Sequence, residues 1–328
     1  MRDPGGAWPT RIAHVGSYDW GMAGSAAMSV RRPHVHGDGD GWVECAHGHR
    51  HWGRFGAAGL LLHRDGPAGR SVLLQHRAEW SHHGGTWGLL GGARQSSESV
   101  EAAALREARE EGAVEPSGVR VDARSLDEHG GWSYTTVLAR PVGPLSAAAS
   151  GPESIDVAWV RQDEVTRLPL HPGFAASWPA LRSALGPLTL VVDAANVMGS
   201  RPDGWWRDRA GAARRIAAGC GRLADRGVPT SELPEGAAPA GPTHWWPQIV
   251  VVVEGAARDA VDAANADVEV VAAPGEGDDE IVARASAAVV TGHVVVVTAD
   301  RELRRRCEEV GARPVGPRWL TGLLSVAD

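Results

Sequence analysis

The chain predicts an α/β architecture in two parts: a mixed-sheet α/β/α sandwich, then a three-layer α/β/α unit on a parallel sheet. Three observations predict it. At 328 residues the chain is long for one domain and comfortable for two. Its first half runs strand, strand, charged helix, strand, strand, helix. Its second half alternates near-continuous apolar runs with helical stretches, the pattern of parallel strands covered on both faces.

Composition excludes several classes. The net charge of −7 argues against a strong non-specific grip on nucleic acid. No lysine occurs, which rules out a Walker A loop, a Schiff base and a lysine-dependent phosphate switch. Cys45, Cys220 and Cys307 are widely spaced and odd in number, so a reducing, cytoplasmic setting is expected. Apolar runs are strand-sized, so no membrane span or signal peptide is expected. Oligomeric state leaves no readable signature.

Residues 1–40 are rich in Gly, Pro, Arg and His without periodicity and are expected to be a poorly ordered leader, with Met28 an alternative start to Met1. Trp42 to Trp52 then holds Cys45, His47, His49 and His51. The four-ligand spacing of a zinc site is absent, so the stretch is expected as a lead-in loop packed by its tryptophans, with solvated histidines. The first domain, residues 41–185, follows with strands at Gly56–Arg64 and Ser71–Arg77 split by Asp65-Gly66-Pro67. Further strands are expected at Trp132–Ala139 and Ile155–Val160, a short helix from Asp163, and a helix over Gly173–Leu185. Trp80, Trp87 and Trp132 are read mainly as core, with base stacking the alternative.

Between these strands lies GARQSSESVEAAALREAREEGAV, Gly92 to Val114. Glu107, Glu110 and Glu111 stand at i, i+3 and i+4, hence on one helix face. Crowded carboxylates repel unless a cation sits among them, and hard oxygen donors suit Mg²⁺ or Mn²⁺, which in turn suit phosphates. The full spacing, Gly92, five residues, Glu98, seven residues, then Arg106-Glu107-Ala108-Arg109-Glu110-Glu111, resembles the Nudix box. That resemblance implies a mixed α/β sandwich that hydrolyses a nucleoside diphosphate linked to another moiety. It implies Glu107, Glu110 and Glu111 as catalytic metal ligands, Arg106 paired with Glu98 as a structural brace, Gly91 and Gly92 on the substrate side, and Glu153 as an outlying metal assistant or base. Two departures stand out: Leu90 replaces a frequent proline, and Gly112 comes one place early, with Ala113 where the glycine usually is. Because glycine favours the left-handed position that ends a helix, this helix is expected to stop about one residue sooner.

In the second domain, residues 187–328, strands are expected at Leu188–Val192, Ile249–Val253, Val268–Ala272 and His293–Thr298. Helices are expected at Trp206–Ala224, Ala256–Ala264, Asp279–Val290 and Arg301–Val310. Asp193, Glu254 and Asp300 close strands, and Asp278 and Asp279 begin a helix, which gathers five carboxylates at the ligand-binding edge of such a sheet. Receiver domains share some of this pattern but need a lysine. Val191-Val192-Asp193-Ala194-Ala195-Asn196, Val253-Glu254-Gly255, Gly277-Asp278-Asp279-Glu280-Ile281 and Val297-Thr298-Ala299-Asp300-Arg301-Glu302 are similar instead to the PIN-like nucleases, in particular the NYN branch. The likeness implies Mg²⁺ or Mn²⁺ on Asp193, Asp278, Asp279 and Asp300. Asp193 and Asp300 would be catalytic, Asn196 and Glu254 would face the substrate, and RNA would be the partner. Taken singly, Asp278 and Asp300 read as helix caps. Arg207, Arg209, Arg214 and Arg215 could track a phosphate backbone or form a solvated face. Val228 to Pro247, rich in Pro, Ala and Gly, is expected to be a mobile loop docked by Trp245 and Trp246. The expected function is nucleotide hydrolysis joined to ribonuclease action; the alternative makes the second domain a silent RNA- or partner-binding module.

Overall fold

The computed structural model describes residues 37–265 and 267–325. Residues 1–36, most of the expected leader together with Met28, lie outside the described residues. The last few leader residues are packed, not loose. Gly39 donates its backbone N–H to Gln95 Oε1 at 2.8 Å, and Asp38 accepts from the Ser96 N–H at 3.0 Å.

β1 (Trp42–Glu44) and β2 (Arg50–Trp52) form a small antiparallel hairpin. β3 (Ala57–Arg64), β4 (Ser71–Arg77), β5 (Trp87–Gly88) and β6 (Leu90–Ala93) lead into α1 (Val100–Gly112). β7 (Val119–Glu128), β8 (Ser133–Pro141), β9 (Ser154–Arg161) and α2 (Pro172–Ser183) complete the first half. The short helix expected from Asp163 is a 3₁₀ turn, Val165–Arg167. β3 reads AAGLLLHR and is buried at every position but its last. It pairs parallel to β8 and antiparallel to β6, so the sheet is mixed, as the resemblance implies. β7 escaped the sequence reading because its alternation, VRVDARSLDE, is crowded with charge.

The second half begins at β10 (Leu188–Asp193) and continues through α3 (Ala194–Gly199), α4 (Arg209–Arg226), β11 (Val228–Pro229) and β12 (Pro242–Trp245). β13 (Gln248–Val253), a 3₁₀ segment Gly255–Ala263 and β14 (Val268–Ala272) follow. α5 (Gly277–Val289), β15 (His293–Val297), α6 (Arg301–Glu309), β16 (Arg313–Val315) and α7 (Pro317–Ser325) end the fold. The five-stranded sheet β14-β13-β10-β15-β16 is parallel throughout. α4 and α7 pack one face, where Leu190 and Val192 are buried. α5 and α6 pack the other, where Val191, Val296, Ile281 and Leu303 meet.

Val228 to Pro247 is not a mobile loop. β11 and β12 add to the nine-stranded sheet of the first half, with Trp245 opposite Ala123 on β7. Trp245 is fully buried, its ring 5.5 Å from His293 of the second half, and the Trp246 N–H donates to Asp122 O at 2.8 Å. Composition suggested a loop because Pro, Ala and Gly are poor strand formers. Tertiary burial of one indole outweighs that propensity.

The box helix also differs from expectation. α1 runs through Gly112, and Ala113 takes the left-handed position at φ 52°. Gly112 is the last helical residue, and a Cβ there would lie 2.8 Å from the buried Leu90 side chain. Glycine at 112 thus serves packing, and Ala113 bears backbone strain that glycine would not. Ala113→Gly is expected to raise stability by about 0.5–1 kcal/mol, since relief of left-handed strain exceeds the added chain entropy. Gly112→Ala should lower it. Chemical denaturation of both variants checks the pair, and a destabilised Ala113→Gly protein would contradict the strain argument.

Candidate active site

α1 starts at Ser99, whose hydroxyl accepts from the Ala102 N–H at 3.1 Å and fixes the helix phase. That phase turns Glu107 and Glu111 inward against β6 and leaves Glu110 exposed. Arg106 organises the cluster. Its guanidinium reaches both oxygens of Glu98 at 2.7 and 3.1 Å and the Ala93 carbonyl at 2.9 Å. It also reaches Glu107 at 2.8 Å and Glu110 at 3.2 Å.

Burial governs the charge of the inner pair. Glu111 is 6 % exposed, and desolvation with repulsion from Glu107 pushes its carboxyl up to about 8. Desolvation pushes Glu107 up to about 7; Arg106 opposes this, while Glu110 and Glu153 add to it. Glu153 is exposed in the loop before β9, near enough to repel Glu107. Gly91 and Gly92, expected on the substrate side, lie against the inner glutamates. Gly91 N–H donates to Glu111 Oε2 at 2.8 Å, and a Cβ on Gly92 would lie 2.6 Å from Glu107 Oε1.

Sequence reasoning missed the support around Glu111. Gln75 is fully buried on β4 and donates to Ser154 Oγ at 2.8 Å, and Ser154 donates to the Glu111 carbonyl at 2.9 Å. The signal was present: a lone amide in the apolar run SVLLQ. Of the tryptophans, Trp132 is core and donates to Gly53 O at 2.9 Å, Trp87 stacks on His76 at 4.9 Å, and Trp80 is 63 % exposed.

The second acidic group sits at the carboxyl edge of the parallel sheet. Asp193, 5 % exposed, accepts from the Asn196 N–H at 3.0 Å, the Asn196 amide at 2.7 Å and the buried Thr298 hydroxyl at 2.9 Å. Burial raises its carboxyl above the ordinary value, and Glu254 adds to that. Asp278 is raised by burial first, then by Asp193 and Asp300, with Arg306 opposing. Asp193, Glu254, Asp278 and Asp300 therefore share one electrostatic neighbourhood. Asp279 does not join them. It is 72 % exposed and pairs with Arg306 at 2.6 Å. Glu254 accepts from the Gly277 N–H at 2.9 Å, and Asn196 Oδ1 from the Ala299 N–H at 3.2 Å, so both steady neighbouring backbone. Asp300 caps α6 through the Leu303 N–H at 2.8 Å, but Asp278 caps nothing, lying inside the first turn of α5. Thr298 was overlooked as a site residue although it stands two residues before Asp300. Arg214 is engaged by Asp262 at 2.9 Å and Arg209 lies over Trp205 at 5.3 Å.

The first half matches a known family. The NUDIX domain family matches residues 53–181. A Mycobacterium tuberculosis protein named "Putative 8-oxo-dGTP diphosphatase 3" is 51% identical over 166 residues, covering 48% of this chain and 75% of that protein. A "Nucleoside triphosphate pyrophosphatase/Nudix hydrolase fusion protein" from Bifidobacterium longum is 42% identical over 159 residues, 47% of this chain and 33% of that protein. The solved structure of a Nudix hydrolase from M. smegmatis, RenU, is 50% identical over 44% of this chain and 93% of that chain, with a TM-score of 0.42. The chain therefore belongs to the Nudix family, and the buried glutamates of α1 lie in its Nudix hydrolase domain.

Proposed function

We propose that the Nudix half hydrolyses an oxidised purine nucleoside triphosphate of the 8-oxo-dGTP kind, releasing the monophosphate and pyrophosphate. The substrate class rests on the name of the relative that is 51% identical. The observation that carries the chemistry is the inner glutamate pair, raised to about 7 and about 8 by burial. Such carboxylates are costly to ionise alone, and their oxygens are the hard donors that suit Mg²⁺ or Mn²⁺. Glu107, Glu110 and Glu111 would hold that cation, which when bound offsets diphosphate charge and acidifies water. Arg106 keeps the box loop and helix in register through Glu98 and Ala93 O. Glu153, exposed in the loop before β9 and close enough to act on Glu107, would be the group that takes the proton of the attacking water.

The acids of the second half support a further reading, a metal-dependent ribonuclease. Asp193, Asp278 and Asp300 would be the metal ligands, with Thr298 and Asn196 orienting Asp193. Raised carboxyls at a sheet edge with Glu254 alongside favour it over a silent binding module.

Glu110→Gln and Glu111→Gln are each expected to lower 8-oxo-dGTP hydrolysis by at least about 100-fold, because each removes a ligand of the cation that stabilises the developing phosphate charge. Mg²⁺-dependent pyrophosphate release measures this, and full turnover in both variants would sink the reading. Metal removal gives a pH signature. A carboxyl raised on folding lends stability below its unfolded value of 4.5 that disappears as pH climbs through its folded value of about 8. In chelator the melting temperature should fall between pH 5 and 8, roughly the span between those values. Glu111→Gln should flatten that slope, and an unchanged slope would show that Glu111 does not set it. For the second half, Asp193→Asn and Asp300→Asn should abolish Mn²⁺-dependent cleavage of single-stranded RNA. Equal cleavage by wild type and both variants would refute the nuclease reading.

A further inference from the structure

The β1–β2 hairpin gathers three donors that neither acidic site uses. Cys45 Sγ and one ring nitrogen each from His49 and His51 all lie within 4.8 Å of one another. Strand register explains the gathering. Glu44 faces Arg50 and Val43 faces His51, so Cys45 and His49 stand opposite each other at the turn, joined by a 2.9 Å bond from Cys45 N–H to His49 O. Gly48, at φ 76°, lets the chain reverse between them. Alternation along the extended chain then returns His51 to the side of His49.

The surroundings favour a ligand. Cys45 is a free thiol, 5 % exposed. The His51 ring is stacked on Trp132, centroids 4.1 Å apart and planes 12° apart, which fixes its direction. Its Nε2 is buried without any hydrogen-bond partner. A buried nitrogen left unpaired is costly, and coordination removes that cost. The expectation of solvated histidines therefore fails at His51.

We propose that Cys45, His49 and His51 form a zinc site. One thiolate with two imidazoles selects a borderline-soft tetrahedral cation over Mg²⁺, and the exposed flank at His49 leaves the fourth corner to water. The thiol proton passes to solvent on binding. The site would cross-link the hairpin at its turn. β1 and β2 are three residues each and pair in a sheet only with each other among the described residues, and Val43 and Cys45 pack the hairpin on Ala57 and Trp132. Neither the Nudix reading nor the nuclease reading enters this inference.

The test uses the full chain, stripped of metal and titrated with Co²⁺ as an optical probe. Cys220 and Cys307 are fully buried, so a thiolate-to-cobalt charge-transfer band reports Cys45, and cobalt on the box glutamates gives no such band. One equivalent should raise the band and the melting temperature together. Cys45→Ser should lose the band. His49→Ala, which removes an exposed ring, should weaken cobalt binding while the metal-free melting temperature holds. No band in the wild type at saturating Co²⁺, a band surviving in Cys45→Ser, or unchanged affinity in His49→Ala would each overturn the site.

Discussion

The Arg106 guanidinium is the interaction on which the Nudix half depends. It binds five acceptors at once: both oxygens of Glu98, one oxygen each of Glu107 and Glu110, and the Ala93 carbonyl. The planar fork of arginine can satisfy such a set, whereas a lysine ammonium offers a point charge. Through Glu98 it fastens the loop, through Ala93 the end of β6, and through Glu107 the helix face. Removing it would take away the cation that compensates Glu107 and leave that carboxyl buried, so its structural and electrostatic roles cannot be separated by one substitution. Glu111 lies beyond its reach and relies on the Gly91 N–H.

The two halves are bound by more than their covalent link. β12 crosses from the second half to extend the first sheet at β7, and Arg120 pairs with Asp267 at 3.1 Å across the same boundary. Arg70 adds a second tie, donating to Thr291 O at 2.7 Å. Leu61, Leu74 and Leu138 of the first half share one apolar cluster with Leu188, Leu190 and Trp245 of the second. Strand continuity and a shared apolar cluster make an interface stiffer than the polar contacts usual between domains of one chain. The box glutamates and the sheet-edge acids are thus held on one framework.

Much of this was legible in the sequence because periodicity and spacing are local. The apolar runs gave β3, β4, β10, β13 and β15 within a residue or two, and the box spacing led to Glu98, Arg106 and the glutamate face. What was hidden is tertiary. Val228–Pro247 carries loop composition, and only the burial of Trp245 against the opposite half makes it a strand pair. The glycine pair also serves packing that its spacing does not reveal: a Cβ on Gly92 would meet Glu107, and one on Gly91 would meet the backbone of Ala58 and Gly59. The hairpin donors do not match a linear zinc pattern, because cross-strand register brings them together.

Charge composition sets how this framework responds to its surroundings. With no lysine, every compensating cation on a side chain apart from histidine is arginine, which stays protonated throughout the accessible range. The pH response must therefore come from carboxylates and imidazoles. Glu107 and Glu111 titrate upward because they are buried; His171 is pushed down to about 4 by burial and by Arg77. Arg77 also opposes the rise at Glu111, so one fixed charge acts on both groups with opposite chemical consequence: it disfavours the imidazolium and favours the carboxylate. Near neutral pH His171 is then uncharged while the glutamate pair is still titrating. Loss of charge compensation in this site arises on the acidic side chains alone, and that is the quantity a divalent cation or a proton can change.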